Sequence, residues 1–297
     1  MQNLSWVEVI VVVTAASNGN LYAGATLPKE DIMAIEAVIF DWAGTTIDYG
    51  NQAPVVALQR TFASFGIEGS GAVTQQDLKL DKMSLIHQLL KDDGVRNAAL
   101  DRFGKISADD IALSLFSAFK RNLLAILPTH AQLKPGVRDL IAYLEANSIP
   151  YGTTSGWDAD LITDLLPLVA PQGFRPRVNV TVKDTGVDRP DPAMNRLAMA
   201  HLGVQHPART IVFGDTLDDI RAGQAAGANA VGVIEGAGLL GLSKAQWLAL
   251  PNQDQQALRL QARREYAVAG ADLIVNNARD LMRLMQSEAS MNQSDAL

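Results

Sequence analysis

In "VIFDWAGTTIDYG", Asp41 closes a short apolar run and opens a Gly-Thr-Thr turn. Much later, "VFGDTLDD" sets Asp215 and Asp219 four residues apart at the entry to a helical pattern. Between them, "YGTTSG" offers hydroxyls at Thr154 and Ser155, and "GVDRPDP" offers Arg189 as a fixed cation. A carboxylate can serve as a nucleophile, and a hydroxyl and an arginine can hold anionic oxygens. Two acids at a helix entry can hold a hard divalent cation, which also offsets the repulsion between an anionic substrate and Asp41. Together these residues form a kit for phosphoryl transfer. Each segment is weak evidence alone; their order, each at the end of a strand, carries the weight.

Those ends require a particular frame. Short runs bounded by Gly, Pro or Asp predict strands at Ala37–Asp41, Pro150–Thr153, Val178–Val182, Thr210–Phe213 and Ala230–Ile234, with a weaker one at Asp272–Val275. Helical patterns fall between them at Gly136–Asn147, Asp158–Leu166, Pro192–His201, Leu217–Ala226 and Ala278–Met285. In "VRDLIAYLEAN" the apolar residues Val137, Leu140, Ile141 and Leu144 recur at helical spacing. Alternation of this kind predicts an α/β fold, a Rossmann-like doubly wound parallel sheet with sites at the carboxyl ends of its strands. From about Asn51 to His130 only helical patterns occur, which predicts an all-helical cap inserted after the first core strand. The expected division is an N-terminal extension over 1–33, a core of 34–50 and 131–297, and a cap of 51–130. The crossings lie near Asp48–Ala53 and Leu127–Gly136, and "LPTHAQLKPG" has the composition of a linker. Pro251–Ala269 reads as a polar helix without chemical signal.

Bulk properties narrow the function classes. A chain of 297 residues with a net charge of −7 is a poor partner for nucleic acid. With no cysteine there is neither a disulfide framework nor thiolate chemistry, which fits a reducing cytoplasm. The apolar stretch Val7–Ala16 is too short to span a bilayer and contains Glu8; no Lys or Arg precedes Lys29, as a secretory signal would require. Neither membrane nor nucleic acid is expected as a partner.

From about Ile35 to Met285 the chain resembles the haloacid dehalogenase superfamily, and within it the phosphonoacetaldehyde hydrolases. "IEAVIFDWAGTTIDYG", "YGTTSG", "DRPDPAM", "GDTLDDIRAGQAAGANAVGVI", "GAGLLGLS" and "AGADLIVNNARDLM" carry the likeness. The resemblance implies a small phosphonate substrate, Mg²⁺ and a homodimer. Carried over by position, Asp41 is the nucleophile; Asp41, the Ala43 carbonyl and Asp215 hold the metal, with Asp219 in support. Ser155 and Arg189 bind the phosphoryl oxygens, and Thr45 is a further candidate for that role.

Ala43 then acquires a chemical meaning. In phosphatases of the superfamily a carboxylate at that position protonates a departing oxygen. Cleavage of a P–C bond expels carbon, which needs an electron sink; a protonated imine between a lysine and the neighbouring aldehyde supplies one. By the resemblance that lysine is Lys82, in "LKLDKMSLIHQLL". The same stretch departs from the family: Leu78-Lys79 stands where relatives commonly have Met-Gly, and Leu85 where they have His, with His87 two further on. Blander roles stay open for several residues. Asp218 suits the positive end of the following helix, Asp48 a helix cap, and His87 a structural contact. Thr154 competes with Ser155 for the phosphoryl group. The activity implied is hydrolysis of phosphonoacetaldehyde to acetaldehyde and phosphate. The alternative is another hydrolase of the superfamily acting on a small phosphorylated or phosphonate metabolite.

Overall fold

The computed structural model describes residues 35–67, 82–104 and 106–295, with side chains through 287. The extension expected over 1–33 and the departure at Lys79 lie outside those residues. All six expected strands form: β1 (Ala37–Phe40), β2 (Tyr151–Ser155), β3 (Asn179–Thr181), β4 (Thr210–Gly214), β5 (Asn229–Val233) and β6 (Leu273–Val275). They pair in parallel in the order β3-β2-β1-β4-β5-β6. The strands are apolar almost throughout because helices cover both faces of the sheet. In β1, Val38 and Phe40 enter one core cluster while Ile39 enters another with Val180, Met194 and Val212. Phe40 meets the edges of Phe174 and Phe213, each with ring centroids 5.8 Å away.

The strand order reverses at β1, with β2 on one side and β4 on the other, so the carboxyl ends of β1 and β4 flank the crevice where such sheets bind ligands. After each strand the chain returns through a helix. Val137–Ala146 buries the four residues expected of it, Val137, Leu140, Ile141 and Leu144. Leu217–Ala226 spans the predicted residues, and the polar segment becomes helix Asn252–Ala269. The third strand ends at Thr181, where a Thr181–Asp184 capping box turns the chain into the short helical turn Val182–Thr185.

Between β1 and the helix Val137–Ala146 that precedes β2, the described residues form four helices: α1 (Ala53–Ser64), α2 (Lys82–Leu89), α3 (Asp93–Phe103) and α4 (Ala108–His130). The long helix α4 has the length and apolarity of a membrane span, yet 44% of its most apolar stretch is buried within the protein. It packs against α1 and α2, and its Ile111, Leu115 and Phe119 share one buried cluster with Leu58, Phe62, Leu85 and Ile86. The two crossings are tied to each other. The Asp48 amide donates to the His130 carbonyl at 3.0 Å, and His130 Nδ1 lies 2.8 Å from Asp48 Oδ1. The Asp48 carboxylate also accepts the amides of Gln52 and Ala53 at 3.1 and 2.9 Å, which satisfies the start of α1 as expected. Farther out, Lys120 of α4 pairs with Asp158 just beyond β2.

Candidate active site

Asp41 leaves β1 with its amide donating to the Phe213 carbonyl at 3.0 Å, so the sheet ladder continues up to the acidic residue itself. The chain then folds into a tight turn. The Trp42 carbonyl accepts the amides of Thr46 and Ile47 at 2.8 and 3.1 Å, and the Gly44 amide donates to the Ile47 carbonyl at 2.8 Å. Gly44 has φ +85°, and a Cβ there would lie 2.2 Å from Asp215 Oδ2. Only glycine allows both the conformation and the close approach.

That turn delivers Thr45 to the neighbouring strand, where its hydroxyl donates to Asp215 Oδ1 at 2.7 Å. Asp215 sits just past β4 and is fully buried. Its other oxygen accepts the Gly238 amide at 2.6 Å. The Tyr266 hydroxyl lies 2.7 Å from the Asp215 carbonyl and 2.9 Å from that of Val233, and so ties the site to β5. Asp219 forms a capping box with Thr216 at the head of helix Leu217–Ala226. Its remaining oxygen accepts from Arg189, which also donates to Asp41 Oδ1 at 2.7 Å.

Asp41, Asp215 and Asp219 each offer an oxygen within 4.8 Å of the others, and all three are buried. The electrostatics reflect this crowding. Burial holds the Asp41 carboxyl well above the usual carboxylate range; Arg189 opposes the shift, while Asp219 and Asp215 reinforce it. Burial, then Asp219, pushes Asp215 up to about 6, against Lys134, Thr45 and Gly238. Burial works against the Arg189 charge, yet Asp219 and Asp41 raise its pKa above the ordinary value. Three buried acids face two cations, the buried Lys134 and the partly buried Arg189, and every acidic donor is a hard carboxylate oxygen. This set fits a divalent hard cation, whose charge would reverse the upward shifts.

Contacts among the described residues thus join Asp41, Thr45, Arg189, Asp215 and Asp219. Ala43, also buried, sits inside the turn. Ser155 ends β2, beside β1 in the sheet, with its Oγ accepting the Trp157 amide at 2.9 Å. Lys82, partly buried, opens α2 on the inserted helices. Leu85 is fully buried, and His87 bridges the Met83 carbonyl and Asp109, as a structural histidine does. Asp218 pairs with Arg221 on the exposed side of its helix.

Three contributors have no counterpart in the sequence reading. Helix Asn252–Ala269, read as chemically silent, supplies Tyr266; the correction comes from a contact 51 residues distant in the chain, which no local pattern encodes. "GAGLLGLS" supplies the Gly238 amide. The linker-like crossing supplies Lys134, whose buried ammonium donates to the Gly44 carbonyl and whose pKa burial lowers to about 8.

The fold agrees with comparisons to known proteins. The family model described as haloacid dehalogenase-like hydrolase matches residues 35–227. The chain is 44% identical over 254 residues to the phosphonoacetaldehyde hydrolase of Lactiplantibacillus plantarum, covering 85% of this chain and 96% of that one. It is 34% identical to the phosphonoacetaldehyde hydrolase of Hahella chejuensis, over 83% of this chain and 84% of the relative. The crystal structure of a phosphonoacetaldehyde hydrolase-like protein from Oleispira antarctica superposes with a TM-score of 0.74 at 30% identity, covering 91% of this chain and 97% of that one. The chain is therefore an enzyme of the haloacid dehalogenase-like hydrolase family, in its phosphonoacetaldehyde hydrolase branch.

Proposed function

We propose that the enzyme hydrolyses the P–C bond of phosphonoacetaldehyde to acetaldehyde and phosphate. The observation that carries this reading is the pairing of Asp41 with Ala43 in a site otherwise equipped for phosphoryl transfer. Where a phosphatase of the family needs an acid for its leaving oxygen, this chain presents a methyl group.

Neutral Lys82 condenses with the substrate aldehyde, releasing water, and the resulting imine takes up a proton. Asp41 attacks phosphorus as the P–C bond breaks. The bond pair flows toward the iminium nitrogen, so the carbon fragment departs as an enamine on Lys82. Protonation at carbon and hydrolysis of the imine release acetaldehyde and restore the lysine. A second water hydrolyses the aspartyl phosphate. Arg189 and Ser155 hold the phosphoryl oxygens, with Thr45 at the edge of the same site. A Mg²⁺ ion held by Asp41, Asp215 and the Ala43 carbonyl, with Asp219 in support, supplies charge neutralisation for the phosphoryl group.

Helices α1 to α4 act as the cap that brings Lys82 to the core, with 51–130 as cap and 34–50 plus 131–297 as core. Closure excludes water, which favours the neutral lysine that imine formation requires. On the family resemblance the enzyme is a cytoplasmic homodimer.

One observation favours the wider reading of a hydrolase for another small phosphorylated or phosphonate metabolite. Leu85 is fully buried where relatives commonly carry a histidine near the lysine. Phosphate release from phosphonoacetaldehyde and from a panel of phosphate monoesters, with and without Mg²⁺, decides between them. The proposal expects efficient release from the phosphonate and feeble release from the esters; the reverse order would establish the wider reading.

A further inference from the structure

Lys134 adjoins the acidic cluster but has no part in the proposed mechanism. It lies in the second crossing, between α4 and the helix Val137–Ala146, and is 6% exposed. The charges around its ammonium group include those of Asp215, Glu235, Asp41 and Asp48. Its Nζ donates to the Gly44 carbonyl, while its backbone amide donates to the Thr46 carbonyl at 2.8 Å. One residue thus grips the turn between Asp41 and Ile47 at two points, by main chain and by side chain.

The path of its stem is also built. The ammonium lies 5.6 Å from the centre of the Tyr49 ring, and a Cβ on Gly236 would come within 2.8 Å of Lys134 Cε. The Gly236 carbonyl in turn accepts the Gly50 amide at 2.7 Å. The lysine therefore runs between the first crossing and the loop that carries Gly238, the donor to Asp215. Burying an ammonium is unfavourable unless it is well paired, so packing alone does not account for a lysine here.

We propose that Lys134 is a positioning residue for the reaction, clamping the Asp41–Ile47 turn so that Thr45 meets Asp215 and the Ala43 carbonyl is held in one orientation for the divalent-ion site. The lysine holds the Gly44–Thr45 peptide plane through the Gly44 carbonyl, while the Gly44 amide, donating to the Ile47 carbonyl at 2.8 Å, holds the Ala43–Gly44 plane within the same turn. The Thr45 hydroxyl and the Ala43 carbonyl are set by those planes. The part concerning the ion rests on the metal reading above; the part concerning the turn does not.

Two measurements on the full-length protein separate these parts. In metal-free protein, Lys134→Met should accelerate amide exchange at Gly44–Ile47 by about tenfold, as loss of one charge-assisted hydrogen bond implies. Exchange in helix Ala193–Leu202 should not change. Calorimetric titration with Mn²⁺ should show affinity weakened by a similar factor of about ten. Lys134→Arg, which keeps a charged donor, should recover most of both losses. Native exchange in the turn of Lys134→Met overturns the clamp. Tighter Mn²⁺ binding also overturns it, because the ammonium would then act as a repelling charge. If the native chain binds no Mn²⁺, the metal reading fails while the exchange result still judges the clamp. Should Lys134→Met not fold, Gly236→Ala pushes on the stem from outside and must speed the same amides; unchanged exchange there rejects the clamp.

Discussion

Replacing Gly44 with alanine tests whether the turn and the acidic cluster form one rigid unit. With φ +85°, any side chain at this position is held in the left-handed region, at a cost of about 1–2 kcal/mol. The new Cβ would also lie 2.2 Å from Asp215 Oδ2 and 2.7 Å from its Cγ, so the carboxylate must retreat by more than an ångström. Asp215 accepts from Thr45 at 2.7 Å and from Gly238 at 2.6 Å, and such a retreat breaks at least one of these bonds. A hydrogen bond to a charged group contributes about 1.5–3 kcal/mol. The combined loss is about 3–5 kcal/mol, a large share of the roughly 5–15 kcal/mol that stabilises an ordinary protein. At about 2–4 °C per kcal/mol, the thermal midpoint should fall by about 10 °C. Phosphate release should fall by about a hundredfold or more, since ångström-scale misplacement of catalytic groups costs that much. Thermal unfolding followed by circular dichroism, alongside a phosphate-release assay, reads both effects. A Gly44→Ala enzyme with native midpoint and native rate would refute the claim that Asp215 is held against this turn.

Asp215→Ala should abolish turnover and divalent-ion binding together, as should excess chelator on the native enzyme; full activity in either case rejects the metal assignment. Tyr266→Phe keeps the buried ring but removes the hydroxyl shared by the Asp215 and Val233 carbonyls. It should lower stability by about 1–2 kcal/mol and weaken ion binding, and an unchanged midpoint and affinity would show that the hydroxyl is idle. In metal-free enzyme the Asp215 carboxyl is raised from its ordinary 3.8 to about 6, and Asp41 shifts in the same direction. The folded chain then binds more protons than the unfolded one. The resulting stabilisation is fully present below about pH 3.8 and lost as pH rises through about 6. This contribution should appear as a thermal midpoint that declines across that window with chelator present and recovers with Mg²⁺; a chelated midpoint that rises would contradict the assignment.

The sheet was legible because its strands are buried on both faces and read as short apolar runs; AVIF and TIVFG could hardly be anything else. Helix Leu217–Ala226 was legible to the residue, since its Thr216–Asp219 capping box and closing Gly227 are local signals. The acids and Arg189 could be placed because strand ends converge at a reversal of strand order, so topology alone gathers them. Lys134 and Tyr266 could not. Lys134 lies in a segment of linker composition, and its meaning depends on a turn 90 residues earlier passing beside it. Tyr266 belongs to a helix whose sequence is mostly polar, and its hydroxyl acts across the β4–β5 edge rather than along its own helix. Both support residues of the acidic cluster and its turn without carrying a motif themselves. A lysine or tyrosine buried deep in the core, with its polar tip on a backbone carbonyl, becomes visible only in three dimensions.

In the proposed mechanism a lysine imine supplies the electron sink that Ala43 makes necessary, and Lys82 is the residue assigned to it. The direct measurement is borohydride trapping in the presence of phosphonoacetaldehyde, followed by peptide mass analysis, with Lys82→Arg assayed in parallel for acetaldehyde release. Inactivation is expected, with a reduced two-carbon adduct on Lys82, and a folded Lys82→Arg enzyme should bind Mg²⁺ but no longer cleave the P–C bond. An enzyme that forms no adduct, and whose Lys82→Arg variant still releases acetaldehyde, would contradict the mechanism.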